Sequence, residues 1–505
     1  MSNEYSSLEQ TRLEKMQRLR DQGHEPYPTR TERTHTSQQA IRLFEAAEAA
    51  GQPQPVSVAL AGRLRAIRPM GKITFAHIED GDGRIQLFLR ANDLGQEALE
   101  LFNREFDLGD FIQAQGEMFR TRTNEITLRV QSFRMLAKAI TPLPAAKDEV
   151  VDGKVVRHAM LAEPEVRYRQ RYADLAVNPE VRDLFIKRSK VIRHLREFLD
   201  TRGFIEVETP VLQPIYGGAA AQPFITHHNQ LKQDLFLRIS FELYLKRLVV
   251  GGLERVYEIG RDFRNEGVDR THNPEFTMLE FYWAYADYEQ VMALTEQMVS
   301  TVAQQVLGTM KIQYNGMEIN LTPPWTRLDL RTGLIDRTGI DILEHPTAES
   351  LAQAMKPLSL SFDPKAPRGK LIDKLLSECL EPTLIQPTFL YDYPRDISPL
   401  AKSKPGDPLI VERFEGYASG FEICNAFTEL NDPLDQEARF LEMGRDYTHG
   451  EEEKHPMDED YLRAMRYGMP PCGGFGMGVD RLAMLLTDQH HIREVLLFPP
   501  MRKEE

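Results

Sequence analysis

A chain of 505 residues, 41% hydrophobic and 27% charged, has the composition of a globular protein of two to four domains. Its net charge of −14 gives no global basic field that would advertise a polyanion as partner. Three widely spaced cysteines without a CxxC pair exclude a zinc-finger or disulfide framework, and the N-terminus lacks an apolar leader, so a reducing, cytoplasmic setting away from membranes is expected.

Taken in order, residues 5 to 22 read as a polar helix carrying Arg12, Lys15, Arg18 and Arg20, and Ala40 to Ala50 as a second helix broken at Gly51 to Pro55. From Val56 to Ala139 the pattern changes to five short strands. Asp80-Gly81-Asp82-Gly83 is a hairpin turn between the second and third, and Glu97 to Phe102 a short helix after the third. That order is the order of an oligonucleotide-binding barrel. From Leu60 to Lys138 there are 12 Lys/Arg and 11 Asp/Glu, close to neutral in an acidic chain, which leaves room for a local RNA surface. Phe75 and Phe88 on the barrel face could stack an unpaired base, with Gln86 reading its edge; a core position for Phe75 is the alternative.

Beyond a linker starting at Thr141, Val181 to Thr201 is an amphipathic helix with Val181, Leu184, Phe185, Ile192, Leu195 and Phe198 at helical spacing. FIEVETPVL follows as a strand interrupted by Pro210, and Gly217 to Ala221 has side chains small enough for a close approach. Arg255 to Tyr285 reads as a long hairpin with a polar loop. Glu258, Asp262 and Arg264 share one strand face, and Met278, Glu280 and Tyr282 one face of the other. So many charges among aromatics are costly to bury unless they are paired or meet a ligand. Residues 333–382 read as an insertion, and Glu412 to Asp432 as two strands joined at Ala418-Ser419-Gly420. Gly473 to Gly478 is a glycine-rich strand entering a helix with Arg481 in its first turn, where an arginine can meet phosphate.

These residues resemble a known family. FRNEG…HNPEF at 263–276, GFGMGVDR at 474–481 and the helix and strand ending in Pro210 look like motifs 2, 3 and 1 of class II aminoacyl-tRNA synthetases. IYGGAAAQPFITHHN at 215–229, ELYLKRLVVGG at 242–252, EICNAFTELND at 422–432 and SPLAK at 398–402 resemble the lysyl-tRNA synthetases of that class. The resemblance implies an α+β chain: an N-terminal extension (1–55), a five-stranded OB-fold anticodon-binding barrel (56–140), a linker (141–178) and a catalytic domain built on an antiparallel sheet flanked by helices (179–505).

It implies a homodimer that activates L-lysine with ATP to lysyl-adenylate and then charges tRNA(Lys), with Mg²⁺ as cofactor. By resemblance Arg264 and Arg481 are catalytic, Arg264 bridging the lysine carboxylate and α-phosphate and Arg481 meeting the γ-phosphate. Glu266, His272, Asn273, Phe276 and Glu415 complete the ATP site, with Phe276 stacked on adenine, and Glu415 and Glu422 hold the metal. Gly218, Glu242, Arg264, Glu280, Tyr282, Asn425 and Glu429 bind lysine; Arg63, Phe75 and Gln86 bind the anticodon. The basic N-terminal helix is either a solvated helix or a further tRNA contact. Phe241 stands where relatives have Pro, and Thr271 where bacterial relatives often have Arg, leaving open whether Arg270 substitutes. Glu422 and Asn425 should face one site although strict alternation separates them, so a bulge near Ile423–Cys424 is predicted. A lysine ligase acting on a protein and a catalytically inactive tRNA-binding relative are the rival readings.

Overall fold

The computed structural model describes residues 5–51, 55–144, 147–151, 154–158, 161, 163–446 and 457–503. The chain forms two compact units, Met1–Glu163 with Tyr172–Val177, and Pro164–Arg171 with Asn178–Glu505.

The first unit is built on a closed five-stranded barrel of strands Ser57–Met70, Ile73–Glu79, Arg84–Arg90, Phe111–Arg120 and Ile126–Ala137. Period-two alternation sends Ala76, Ile78, Ile85, Leu87 and Leu89 inward, and the helix Gln96–Glu105 adds Leu99 and Phe102 to that core. The same alternation leaves Phe75, His77, Gln86 and Phe88 half-buried on the outer face. The helix Ser7–Asp21 lies against the barrel, and three of its four basic side chains are paired there while Arg20 is exposed. Lys15 pairs with Asp107 at 2.7 Å, Arg18 with Glu105 at 3.1 Å, and Arg12 donates to the carbonyls of Ala139 and Leu108. The stretch read as a linker contains a short hairpin, Lys147–Val151 with Lys154–His158, and two short helices, Pro164–Arg169 and Arg171–Val177.

The second unit is organised by a nine-stranded sheet. Its main path runs Thr326–Asp329, Thr388–Pro394, Asp407–Ala418, Phe421–Thr428, Cys472–Gly478, Glu275–Ala284, Arg255–Phe263 and Ile205–Glu206. All neighbours are antiparallel except the outermost pair at each end. The helices Pro179–Asp200 and Tyr288–Leu307 bury Leu195, Phe198, Met298 and Val302 against Tyr257, Leu279, Phe281 and Phe475 of the sheet. The strand expected at FIEVETPVL is shorter than the sequence suggests: only Ile205–Glu206 pairs with the sheet, and Leu212–Gln213 joins a separate three-stranded sheet. Pro210 lacks the N–H that a continuous strand would need there.

Residues 333–382 form part of the same body. Leu334, Leu351, Ile372 and Leu376 share one core with Leu390, Tyr393, Val411 and Tyr417 of the sheet.

Candidate active site and RNA-binding face

The hairpin strands Arg255–Phe263 and Glu275–Ala284 pair in unbroken register, which sets Glu258 opposite Glu280 and Asp262 opposite Phe276 on one face. Two facing carboxylates repel unless each has a separate partner. Arg238 takes Glu258 at 2.6 Å, with Thr209 donating from both its N–H and its hydroxyl. Glu280 instead accepts from Ser240 Oγ at 2.8 Å, the Phe241 N–H at 3.2 Å and the Tyr282 hydroxyl at 3.4 Å. Burial, with Asp262 and Glu242 nearby, holds the Glu280 carboxyl well above the usual range. Phe241 leaves the next helix intact: the helix starts at Glu242, whose N–H is taken by Ser240 Oγ, while the Phe241 ring is buried under the Arg238 guanidinium.

Over this face opens a cavity of about 1200 Å³. One end is acidic and small-walled: Gly218, Glu242, Glu280, Tyr282 and Asn425 line it. Gly218 adopts φ +88°, and a Cβ there would stand 3.0 Å from Glu242 and Ser240. Glu429 lies behind this wall, fully buried, paired with Lys246, and pushed up to about 8 by burial. Gly474 explains how it fits, since a Cβ at that position would lie 1.8 Å from Glu429 Oε1.

Toward the middle, Arg264 holds the Ile239 carbonyl at 3.4 Å and lies 5.1 Å from the centre of the Phe276 ring. Glu266, His272 and Asn273 line the same stretch. Thr271 lines it too, but Arg270 does not; its guanidinium donates to the His490 carbonyl at 2.9 Å. The glycine strand Cys472–Gly478 passes directly into the helix Val479–Thr487, whose first turn aims Arg481 into the cavity. Arg481 meets Glu422 at 2.9 Å and His272 Nε2 at 3.1 Å.

Glu422 and Asn425 do reach one face. Gly416 pairs with Cys424 and Tyr417 with Glu422, so Ile423 is the extra residue of a bulge. The neighbouring turn has both Ser419 and Gly420 at positive φ, as a tight two-residue hairpin requires. Opposite Asn425, Glu415 is clamped: Arg413 donates to one oxygen at 2.5 Å and the Tyr393 and Tyr417 hydroxyls to the other. Residues 367–381 supply a wall that sequence reasoning missed, including Lys370, Asp373 and Glu381. Burial, then Glu415, raises Glu381 to about 7, and burial raises Asp373 to about 6. Among the described residues no three His, Cys, Asp or Glu side chains form a ready-made metal cage. The surplus of carboxylates at Glu381, Asp373, Glu415 and Glu422 nonetheless fits a hard divalent cation bound together with a phosphate.

On the barrel, Phe75 and Phe88 face each other in register with ring centres 5.1 Å apart, and Phe119 extends the row at 5.8 Å from Phe88. Gln86 donates to Glu125 at 2.9 Å and accepts from Thr127. Glu125 is a second polar group that strand alternation did not single out. Arg63 is not beside this row: Arg68 is the residue opposite Phe75, and the Arg63 guanidinium lies 4.2 Å over Phe111.

An antiparallel sheet bearing an arginine hairpin and a glycine strand that ends in a helical arginine, together with an OB barrel in the same chain, defines a class II aminoacyl-tRNA synthetase. Residues 163–502 match the class II tRNA synthetases (D, K and N) and residues 58–136 the OB-fold nucleic acid binding domain, and the chain belongs to this synthetase family. It is 52% identical over 503 residues to a lysine–tRNA ligase of Roseiflexus sp. strain RS-1, covering 99% of this chain and 100% of that protein. It is 52% identical over 502 residues to a lysine–tRNA ligase of Pelotomaculum thermopropionicum (99% and 96% covered). It is 48% identical over 506 residues to one of Dehalococcoides mccartyi (100% and 99% covered).

Proposed function

We propose that the chain is a lysine–tRNA ligase. The observation that carries this reading is the buried acidic end of the cavity: Glu242, Glu280 and Tyr282 face it and Glu429 lies behind, next to Arg264 and Phe276. An amino acid with two ammonium groups complements such a chamber, and one with an acidic or neutral side chain does not. The full-length similarity to lysine–tRNA ligases points the same way.

On this reading the lysine carboxylate attacks the α-phosphorus of ATP. A carboxylate–phosphorus bond forms and the bond to pyrophosphate breaks, giving lysyl-adenylate. Two anions meet, so catalysis is a matter of alignment and positive charge. Arg264, already in the middle of the cavity, neutralises the carboxylate and the α-phosphate. Phe276, under the Arg264 guanidinium, takes adenine, with Glu266, His272 and Asn273 around the nucleotide, and Arg481 turns from Glu422 to the γ-phosphate. Glu280 and Glu242 take the α-ammonium, Tyr282 and Glu429 the ε-ammonium, with Asn425 and Gly218 completing the contact. Glu415 and Glu422 would hold Mg²⁺, which when bound neutralises phosphate charge. The second step passes the lysyl group to a hydroxyl at the 3′ end of tRNA(Lys) and releases AMP. Phe75 and Gln86 then read a splayed anticodon base, a contact that leaves out Arg63, whose guanidinium lies over Phe111.

We also infer a homodimer, in which the exposed Ile205, Val211 and Leu212 beside the edge strand meet a second copy, and a cytoplasmic location consistent with three free cysteines. The test is pyrophosphate exchange with each of the twenty amino acids, followed by charging of tRNA. Lysine should be the amino acid that stimulates exchange; stimulation by another amino acid and not by lysine overturns the reading.

A further inference from the structure

The wall behind the acidic chamber contains a cation that the proposed lysine contacts do not use. Lys246 lies one helical turn after Glu242 on the helix Glu242–Val250 and has no exposed surface. The i, i+4 spacing puts its ammonium 2.5 Å from Glu242 Oε1. The same ammonium is paired with Glu429 and stands 5.9 Å from the centre of the Tyr282 ring. One internal ammonium therefore ties together two carboxylates and an aromatic ring that arrive from three separate segments. An ammonium without such partners would not stay charged at full burial. Burial opposes its charge here, but Glu242 and Glu429 outweigh it, and Lys246 keeps its proton well above the ordinary lysine range.

Other groups face this cluster as well. Tyr282 from the hairpin, Tyr461 from the helix Glu459–Arg466 and Cys472 from the glycine strand are all pushed upward by burial and stay neutral. Lys402 acts on the cluster through Cys472, and Asp262 acts on Glu280. The chamber thus gathers three carboxylates, Glu242, Glu280 and Glu429, around one internal ammonium. Burial holds Glu280 and Glu429 above the usual carboxylate range, so ammonium groups brought beside them favour their ionised forms, and free lysine carries two.

We propose, resting on the lysine reading of the site, that Lys246 is a positioning residue: it holds the Glu429 and Glu242 carboxylates oriented at the back of the chamber, where a substrate with two ammonium groups meets them. Lys246 touches neither substrate nor ATP. Its effect passes through Glu429, so it belongs to the affinity for lysine and not to the phosphoryl step.

The experiment is lysine-dependent pyrophosphate exchange by the full chain, measured from pH 6.5 to 9. The unaltered protein is assayed first; absence of lysine-stimulated exchange there defeats the lysine reading itself, whatever Lys246 does. In Lys246→Met the KM for lysine should rise about tenfold or more, and the pH limb along which that KM falls should move up by about one unit, because Glu429 ionises later without its partner. The KM for ATP should stay within about twofold. In a Glu429→Gln background the same Lys246→Met change should cost less than about twofold, since the two residues act as a unit. An unchanged lysine KM and pH profile in folded Lys246→Met, or an undiminished loss in the Glu429→Gln background, overturns the proposal. If Lys246→Met does not fold, the paired change decides. A soluble Glu429→Gln/Lys246→Met protein with the lysine KM of Glu429→Gln supports charge compensation. A pair that also fails to fold shows that Lys246 acts through packing, and overturns it.

Discussion

Arg481 and Glu422 are held together at 2.9 Å across the mouth of the cavity, and the same guanidinium also takes the Glu422 carbonyl at 3.0 Å and faces His272. The first turn of a helix, the start of a bulged strand and a hairpin loop thus converge on one arginine. In the proposed reaction that arginine changes partner from Glu422 to phosphate and frees the carboxylate for a cation. Arg481→Ala should lower lysine-dependent pyrophosphate exchange by about 10²–10³, the usual loss for one charge-stabilising donor. Arg481→Lys should recover only part of it, because a point charge cannot reproduce the planar fork. Exchange rates of the two variants at saturating lysine check this, and activity near that of the unaltered protein in Arg481→Ala would remove Arg481 from the site.

The barrel gives a prediction of the opposite kind. Phe75 is half-buried on the outer face and packs on Phe88, so its truncation opens no core cavity. Base stacking on an aromatic ring contributes about 1–3 kcal/mol. Phe75→Ala should therefore leave pyrophosphate exchange unchanged while raising the KM for tRNA by about 5- to 150-fold in charging. Gln86→Ala should act in the same direction and less strongly. Loss of exchange in Phe75→Ala would mean that the ring supports the fold and not RNA.

Periodicity and turn chemistry make much of the fold legible in the sequence. Strict alternation in residues 73–90 sorts core from face, and two positive-φ residues at Ser419–Gly420 fix the carboxylate hairpin. The bulge at Ile423 is legible only because two side chains have to share a face. Pairing across segments is not legible. Nothing local tells that Arg12, Lys15 and Arg18 face barrel acids and carbonyls, that Glu429 withdraws behind the wall onto Lys246, or that residues 367–381 return to line the cavity. These depend on tertiary contacts between segments far apart in sequence, beyond the reach of helical or strand periods.

Asp262 offers a test on stability. It is fully buried opposite Phe276, and neither oxygen has a hydrogen-bond partner, although Arg238 lies 3.5 Å away. Burial raises its carboxyl to about 7, against the pull of Arg264 and Arg238. An unfolded aspartate releases its proton near about 3.9. Between those values the folded state binds more protons than the unfolded state. The contribution is therefore complete below about pH 4 and is lost as pH rises to about 7, at up to about 1.4 kcal/mol per pH unit. Asp262→Asn should remove this component, so the thermal midpoint of the variant should fall less than that of the unaltered protein between pH 5 and 7. Parallel pH dependences would show that Asp262 is ionised in the folded protein.

The glycine strand supplies a steric prediction that separates two neighbouring positions. A Cβ on Gly474 would lie 1.8 Å from Glu429 Oε1 and 2.6 Å from the Tyr282 ring, whereas on Gly476 its nearest neighbour is Met278 Cε at 3.4 Å, the end of a flexible side chain. Gly474→Ala must therefore push Glu429 off Lys246 or tilt Tyr282, and neither can move far in a wall where both are buried. Overpacking of this kind costs about 1–3 kcal/mol or more, and here it falls on the groups assigned to the ε-ammonium. Gly474→Ala should lower the thermal midpoint by several degrees and raise the lysine KM more than the ATP KM. Gly476→Ala should leave the midpoint within about 2 °C of the original, since an ordinary van der Waals contact displaces nothing. Equal loss of stability in the two variants would mean that the glycines serve backbone pairing in this central strand, and that the space beside Gly474 is not kept for Glu429.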